Sequence, residues 1–333
     1  MAQTVNLFGL YPSKKESDMW IIPAHWDVTT SYRSGTINGP SIIYNASHQL
    51  DLFHHNYKTV FDEGIFMLAS SSKEIKNNTK LRKKAHTIIQ KFEKNIELTE
   101  LEQKDLLEIN QASANLNTHI YKETEHAIKE EKLIGMIGGE HSCSLGVIQA
   151  LADYIDSFGV LQFDAHMDLR SAYQGFIYSH ASIMKHVMEI KDITRLIQVG
   201  IRDYSEEELS VMKGSKGRIK TFFNHEMKKD LFQGKSWKSI CKKIINNCPD
   251  QIYISFDIDC LSPYLCPNTG TPVPGGLDFD QIDFLLAMLV KSGKRIIGFD
   301  LVEVNGENHG IDAIIGARML AMLAGYYHES NKE

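Results

Sequence analysis

Val160-Leu161-Gln162-Phe163-Asp164-Ala165-His166-Met167-Asp168 is a mainly apolar run that ends in charged side chains spaced by two. A second stretch of the same design, Ser255-Phe256-Asp257-Ile258-Asp259, closes another apolar run further along the chain. In an extended backbone a spacing of two puts Asp164, His166 and Asp168 on one face, and likewise Asp257 with Asp259. Four carboxylates and an imidazole brought together repel and shift their pKa values upward unless a cation sits among them. Oxygen-rich ligand sets with one or two histidines suit Mn²⁺-like ions, and this many ligands suits two of them. The expectation is a binuclear metallohydrolase.

Eight short apolar or β-branched runs predict strands: Trp20–Ile22, Ile65–Leu68, Ile134–Ile137, Val160–Phe163, Leu196–Val199, Ile219–Phe223, Ile252–Phe256 and Ile296–Phe299. Segments with helical spacing follow most of them, among them Ser142–Asp156, Ala181–Ile190, Trp237–Ile245, Phe279–Val290 and Ile311–Tyr327. Continuous apolar strands alternating with helices build a parallel sheet covered on both faces. The stretch Ser70–Lys132 differs, being rich in Lys, Glu, Asn and Gln with spaced apolar positions. It reads as a helical insertion at about 70–132 within one domain spanning 1–333. Its open roles are a solvated amphipathic helical pair, an oligomer contact or a wall over a site.

Hydrophobic residues at 43% and charged residues at 23% are ordinary for a globular chain with a real core, and a formal net charge of -6 gives no reason to expect nucleic acid as partner. The amino terminus lacks a basic segment followed by an apolar one, so no signal peptide is expected. No apolar run approaches the roughly 18 residues of a membrane helix, so no membrane partner is expected either. Five cysteines without a Cys-x-x-Cys pair predict reduced thiols in a cytoplasmic protein.

Every charged motif stands just after a predicted strand. Gly138-Gly139-Glu140-His141-Ser142 follows the third, the Asp164 cluster the fourth, Asp257 and Asp259 end the seventh, and Asp300-Leu301-Val302-Glu303 follows the eighth. Open α/β sheets bind ligands at the carboxyl ends of their strands. One isolated Asp-x-Asp is usually a turn or a helix cap. Four motifs delivered to one edge point instead to a metal site.

On these motifs the chain resembles the ureohydrolase superfamily of arginase, agmatinase and formiminoglutamase, in an agmatinase-like form, from about Ile22 to Tyr327. The resemblance implies a three-layer α/β/α fold with a mainly parallel sheet of about eight strands. It implies that His141, Asp164, His166, Asp168, Asp257 and Asp259 hold two divalent ions, Mn²⁺ first, with Ni²⁺ or Co²⁺ able to share such ligands. It also implies hydrolysis of a small cationic guanidino substrate to urea and an amine, and a homo-oligomer, a trimer or a hexamer. Glu303 matches the carboxylate that holds the guanidinium, and Asp168 would also orient the nucleophile. His180, in Tyr178-Ser179-His180-Ala181-Ser182, falls where the family keeps a proton-shuttling histidine. Thr271 lies in a loop the family uses beside the substrate, although such a loop also serves as a rigid connection. His25-Trp26-Asp27 and the loop 31–40 match its amino-terminal substrate-side segment, or are purely structural. Cys260 and Cys266 flank the third motif and read as buried thiols.

The chain also departs from the pattern. Ser262 and Gly306 stand where an acid and a proline are usual. Arginases carry an aspartate for the substrate α-amino group two residues beyond an Arg-Asp pair; here Arg202-Asp203 is followed by Tyr204-Ser205, which disfavours L-arginine. Arg170, two residues after Asp168, resembles an arginine of formiminoglutamases. It either attracts a substrate carboxylate or pairs with an acid of its own, such as Asp203. Tyr173, Phe176 and Tyr178 either narrow the pocket to a small guanidine or pack the loop. The competing readings are guanidine hydrolase, formiminoglutamase and arginase, then a single-zinc deacetylase of the same fold and a metal-free non-catalytic homologue.

Overall fold

The protein is described by a computed structural model covering residues 6–57 and 60–332. Residues 1–5, on which part of the leader expectation rests, lie outside the described residues. The strands are β1 (Met19–Pro23), β2 (Ile65–Met67), β3 (Leu133–Ile137), β4 (Phe158–Phe163), β5 (Ile193–Ile201), β6 (Ile219–Phe223), β7 (Gln251–Asp257) and β8 (Arg295–Val302). The helices are α1 (Gly39–Ser47), α2 (Ser72–Glu93), α3 (Glu100–Lys129), α4 (Leu145–Ala152), α5 (Ile183–Val187), α6 (Glu206–Gly214), α7 (Asn224–Phe232), α8 (Trp237–Ile245), α9 (Phe279–Lys291) and α10 (Ile311–Glu329). All eight predicted strands are present. Two predicted helices are shorter than their apolar spacing suggests: the first opens with a 3-10 turn at His141–Ser144, and the second keeps only α5. Asp300 lies inside β8, not beyond it.

The strands form one sheet in the order β2-β1-β3-β8-β7-β4-β5-β6, and every described pairing is parallel. Side chains alternate between its faces. Ile21, Leu161, Phe163 and Phe256 join α1, α8, α9 and α10 in one core layer, whereas Trp20, Ile22, Val160 and Tyr253 join α2, α3, α4 and α5 in the other. A period of two along central strands therefore fills two cores at once, which is why these strands read as unbroken apolar runs. The result is the three-layer α/β/α arrangement.

The helical excursion is an antiparallel-style pair with an apolar stripe. Leu81, Ala85, Ile88 and Ile89 of α2 meet Ile109, Leu116 and Ile120 of α3 in the second core. Ser71 caps α2, and Thr99 with Glu102 forms a capping box at the start of α3. Lys84 bridges Asp105 and Glu108 on the outer side (2.5 and 2.6 Å). Such half-exposed pairs add little stability; the stripe holds the pair down. Among the described residues no helix is long and apolar enough to cross a membrane.

Candidate metal centre

The strand order does what the sequence order does not. β3, β8, β7 and β4 are neighbours, so His141, Glu303, Asp257 with Asp259, and the Asp164 cluster all emerge on one edge of adjacent strands. Two groups of candidate ligands result. One ligand atom each of His141, Asp164 and Asp168 lie within 4.8 Å of one another, and so do those of Asp164, His166 and Asp259. Asp164 belongs to both. His141 Nδ1 stands 3.0 Å from Asp164 Oδ2, 2.9 Å from Asp168 Oδ2 and 3.5 Å from Asp257 Oδ2. His166 Nδ1 stands 3.0 Å from Asp259 Oδ2 and 3.5 Å from Asp164 Oδ1. The structure thus brings together all six residues named from the sequence.

The hydrogen bonds around His141 test whether a cation fits. Ser255 Oγ donates to Asp300 Oδ1 (3.1 Å), so it accepts from His141 Nε2 (2.9 Å), and Nδ1 is the nitrogen that becomes bare when the ring gives up a proton to a bound cation. That buried Nδ1 makes no well-formed hydrogen bond although carboxylate oxygens surround it. A lone pair and several carboxylate oxygens converging on one point is a cation's donor set. Asp300, aimed through Ser255, orients a candidate ligand and is not itself one. The other carboxylates are steadied from outside: Gln162 Nε2 donates to Asp164 Oδ2 (2.8 Å), Ala165 N to Asp259 Oδ1 (2.9 Å) and Asp259 N to Asp257 Oδ1 (2.8 Å).

Charge crowding shows in the proton affinities. Burial, then the Asp164 charge, pushes Asp168 up to about 7. Burial, then Asp259, Asp164 and Glu303, holds Asp257 well above the carboxylate range. Burial also raises Asp164, but contacts with His141 and His166 outweigh it and keep that carboxyl below its ordinary range. The backbone carries strain here as well, since Asp168 (φ 55°) and Glu303 (φ 61°) are left-handed. Such conformations cost roughly 1–3 kcal/mol each and persist where the surroundings over-determine them.

Beside the cluster opens a cleft of ≈300 Å³ lined by Ser31, Tyr32, His166, Asp168, Arg170, Tyr173, His180, Ala181, Asp203, Tyr204, Glu208, Thr271, Pro272 and Val273. His180 sits in its wall. The Thr29 carbonyl, 3.1 Å from Nδ1, can only accept, so Nδ1 carries the proton and Nε2 is the accepting nitrogen, taking a hydrogen bond from Ser31 Oγ (3.2 Å). Burial, then the charge of His166, pushes the His180 pKa down to about 3. Thr271 Oγ1 donates to Asp259 Oδ2 (3.4 Å). Glu303 is buried and stands outside the described lining of the cleft, its Oε1 accepting His141 N (2.9 Å).

One expectation needs correction, and several open alternatives are decided. The acid facing Arg170 is Glu208 (3.8 Å), not Asp203, and the guanidinium also lies 4.8 Å over the Tyr173 ring. Of the three aromatics, only Tyr173 lines the cleft; Phe176 is wholly buried and Tyr178 packs on His186. Ser205 caps α6, bonded to Glu208, and takes no part in the lining. From the loop 31–40 only Ser31 and Tyr32 reach the cleft, while His25 and Asp27 are buried and structural. Cys260 and Cys266 are buried free thiols that burial holds protonated, unsuited to binding a metal. Sequence reasoning missed Glu208, because a helix-capping glutamate four positions beyond Tyr204 carries no local mark of a cleft.

A Cβ on Gly139 would lie 2.0 Å from the Trp26 carbonyl oxygen. Gly139→Ala must therefore push apart the segment 26–29 and the approach to His141. We expect a loss of about 1–3 kcal/mol with lower metal content, read by thermal melting and elemental analysis; a variant unchanged in both would contradict this packing.

The fold and the site define a doubly covered parallel α/β protein whose central strands present a His/Asp cluster able to hold metal. The sequence matches the model of the arginase family over residues 17–325. The chain belongs to that family of ureohydrolases, hydrolases acting on amidino C–N bonds, which generally use a binuclear metal centre. It is 26% identical to the N(1)-aminopropylagmatine ureohydrolase of Synechocystis sp., over 94% of this chain and 90% of that protein. It is 27% identical to the agmatinase of Pyrococcus horikoshii, over 93% and 92%. The agmatine ureohydrolase of Thermoplasma volcanium shares the fold (TM-score 0.72, 20% identity, 96% of this chain and 92% of that one).

Proposed function

We propose that this chain, as one domain over 1–333, is a binuclear metal-dependent hydrolase of an agmatine-like guanidino compound, releasing urea and an amine. The observation that carries the reading is the pair of His/Asp groups sharing Asp164. His141, Asp164, His166, Asp168, Asp257 and Asp259 would hold two divalent ions of the Mn²⁺ class. Bound there, such ions lower the pKa of water and supply a nucleophile near neutral pH. Asp168, on the cleft side, would orient the nucleophile and aim its lone pair. Glu303 keeps Oε1 on His141 N and offers Oε2 to the guanidinium, a charge-assisted contact. His180, neutral at rest, would take at Nε2 the proton that the attacking water releases and pass it to the departing nitrogen. Thr271 borders the substrate.

The cleft's charges support a cationic tail. Asp203 and Glu208 are acidic, and Arg170, the one arginine or lysine among the described lining residues, already faces Glu208 and stacks on Tyr173. No acid stands at Ser205, which argues against L-arginine. A second reading follows from Arg170 itself: its position in the lining suits a substrate carboxylate, as in formiminoglutamate. The protein is read as a cytoplasmic homo-oligomer, a trimer or hexamer, which light scattering would measure.

The test loads the purified protein separately with Mn²⁺, Ni²⁺ and Co²⁺ and assays agmatine, guanidine, L-arginine, 4-guanidinobutyrate and formiminoglutamate. Agmatine is expected to exceed guanidinobutyrate by about tenfold or more in kcat/KM, and Arg170→Met to leave agmatine turnover intact. Formamide from formiminoglutamate, lost in Arg170→Met, would transfer the assignment to the second reading. Turnover of guanidine alone would mean that Tyr173 and Tyr32 close the cleft. Silence on all five with two ions bound rejects the substrate class, and silence with none bound rejects the metal reading.

A further inference from the structure

The insertion helices do more than cover the sheet. On α2 the stripe of buried positions is interrupted by two polar residues, Asn78 and Arg82, four apart and so on one face. Both reach the segment that follows β1. Asn78 makes a two-bond clasp with Asp27, Nδ2 donating to Oδ1 (2.8 Å) and Oδ1 accepting Asp27 N (2.7 Å). Arg82 Nη1 donates to the carbonyls of Val28 (3.0 Å) and Thr30 (2.6 Å), one on each side of Thr29.

Thr29, fully buried, is the hub. Its N and Oγ1 donate to Glu140 (2.8 and 2.9 Å), the residue before His141. Its carbonyl takes the Nδ1 proton of His180 (3.1 Å), and its Oγ1 accepts His180 N (3.3 Å). A carbonyl in that place fixes the imidazole tautomer and its rotation. The bonds to Glu140 fix the amide and hydroxyl side of Thr29, and the carbonyls on either side of it, which set the rotation of its own carbonyl, are both held by one guanidinium on α2.

We propose that Asn78 and Arg82 are positioning residues for His180: helix α2 clamps residues 27–30 so that the Thr29 carbonyl keeps the Nδ1–H tautomer and leaves Nε2 facing the cleft. The inference rests on the proton-transfer role given above to His180. It assigns the insertion a part in the reaction without its touching substrate.

A double-mutant cycle tests it with agmatine, or whichever substrate the panel yields, on metal-loaded protein. His180→Ala should cost about 10²–10⁴-fold in kcat. Arg82→Met should cost about 10- to 100-fold in kcat with KM and metal content nearly unchanged, as expected for a misplaced catalytic group. Arg82→Lys, which keeps a donor for the two carbonyls, should recover most of that loss. The double variant Arg82→Met/His180→Ala should be no slower than His180→Ala alone, because residues acting through one another are not additive. Independently of activity, the imidazole ¹⁵N shifts of His180 in the metal-free protein should report one tautomer in the parent and a mixture in Arg82→Met. If Arg82→Met does not fold, Asn78→Ser carries the same cycle. An unchanged kcat in His180→Ala overturns the proton-transfer reading, and the inference with it. A costly His180→Ala combined with full additivity, or a tautomer unaltered by Arg82→Met, overturns the inference alone.

Discussion

Asp257→Asn is expected to reduce urea release by about 10³-fold or more, a loss of about 4 kcal/mol of transition-state stabilisation, and to lower bound metal below two ions per chain. The substitution keeps the shape of the side chain and the oxygen that accepts Asp259 N (2.8 Å), so β7 and the turn after it should remain as they are. What it removes is a carboxylate oxygen 3.5 Å from His141 Nδ1, beside the group formed by His141, Asp164 and Asp168. The same change should make the metal-free protein more stable. Burial among Asp259, Asp164 and Glu303 makes the metal-free fold either hold Asp257 protonated or bear its charge, a cost that the neutral amide does not carry. The metal-free variant should therefore melt above the metal-free parent while gaining less from added Mn²⁺. Activity is bought here at the expense of the empty fold, the usual relation at a charged site. Full urea release with two ions bound would take Asp257 out of the ligand set.

Stripping the metal with a chelator should leave a protein whose melting temperature falls as pH rises from 5 to 8. Asp168, raised to about 7 by burial and by Asp164, and Asp257, raised well above its usual range, bind protons more tightly folded than unfolded. Groups of that kind give stability that is complete below their unfolded pKa of about 4 and is lost as pH climbs through the folded value. His141 and His166 act in the same direction: burial lowers them, but the surrounding aspartates outweigh it and hold both well above the ordinary histidine range. Asp164 and His180, both held low, have the opposite sign; that of Asp164 is lost only at acid pH, and His180 opposes the trend below its ordinary value of 6.5 as one group against the four raised ones. Divalent ions compete with these protons, so their affinity rises with pH. Metal at a hundred times its Kd adds about 2.7 kcal/mol per site, and the melting gap between loaded and stripped protein should widen from pH 5 to 8. A gap that is constant or narrows would mean that the ions bind elsewhere.

The legible part of the site lies in short segments. Asp164, His166 and Asp168, like Asp257 and Asp259, are adjacent through alternation along one strand end, and no distant residue is needed to place them together. Glu303, His180 and Thr271 were found through motif position, and the fold sets them around the same edge. The partner of Arg170 was not legible, because Asp203 and Glu208 both lie a few residues past β5 and only the start of α6 turns Glu208 inward. Asn78 and Arg82 did leave a trace: two polar residues on the apolar stripe of α2. That trace marks a buried contact without saying with what.

The sequence by itself determined the eight strands, the two faces they cover and the grouping of Asp164 with His166 and Asp168 and of Asp257 with Asp259, because periods of two and near four are local properties of the backbone, while His141 entered only through the family resemblance. Only the tertiary structure decided that β3, β8, β7 and β4 lie side by side, so that motifs distant in the chain share one edge. It likewise decided that Tyr173 lines the cleft while Phe176 is buried away from it, and that α2 closes on residues 27–30. Those outcomes depend on which strands pair and which loops close, and their free energies come from contacts between distant segments that no local pattern encodes.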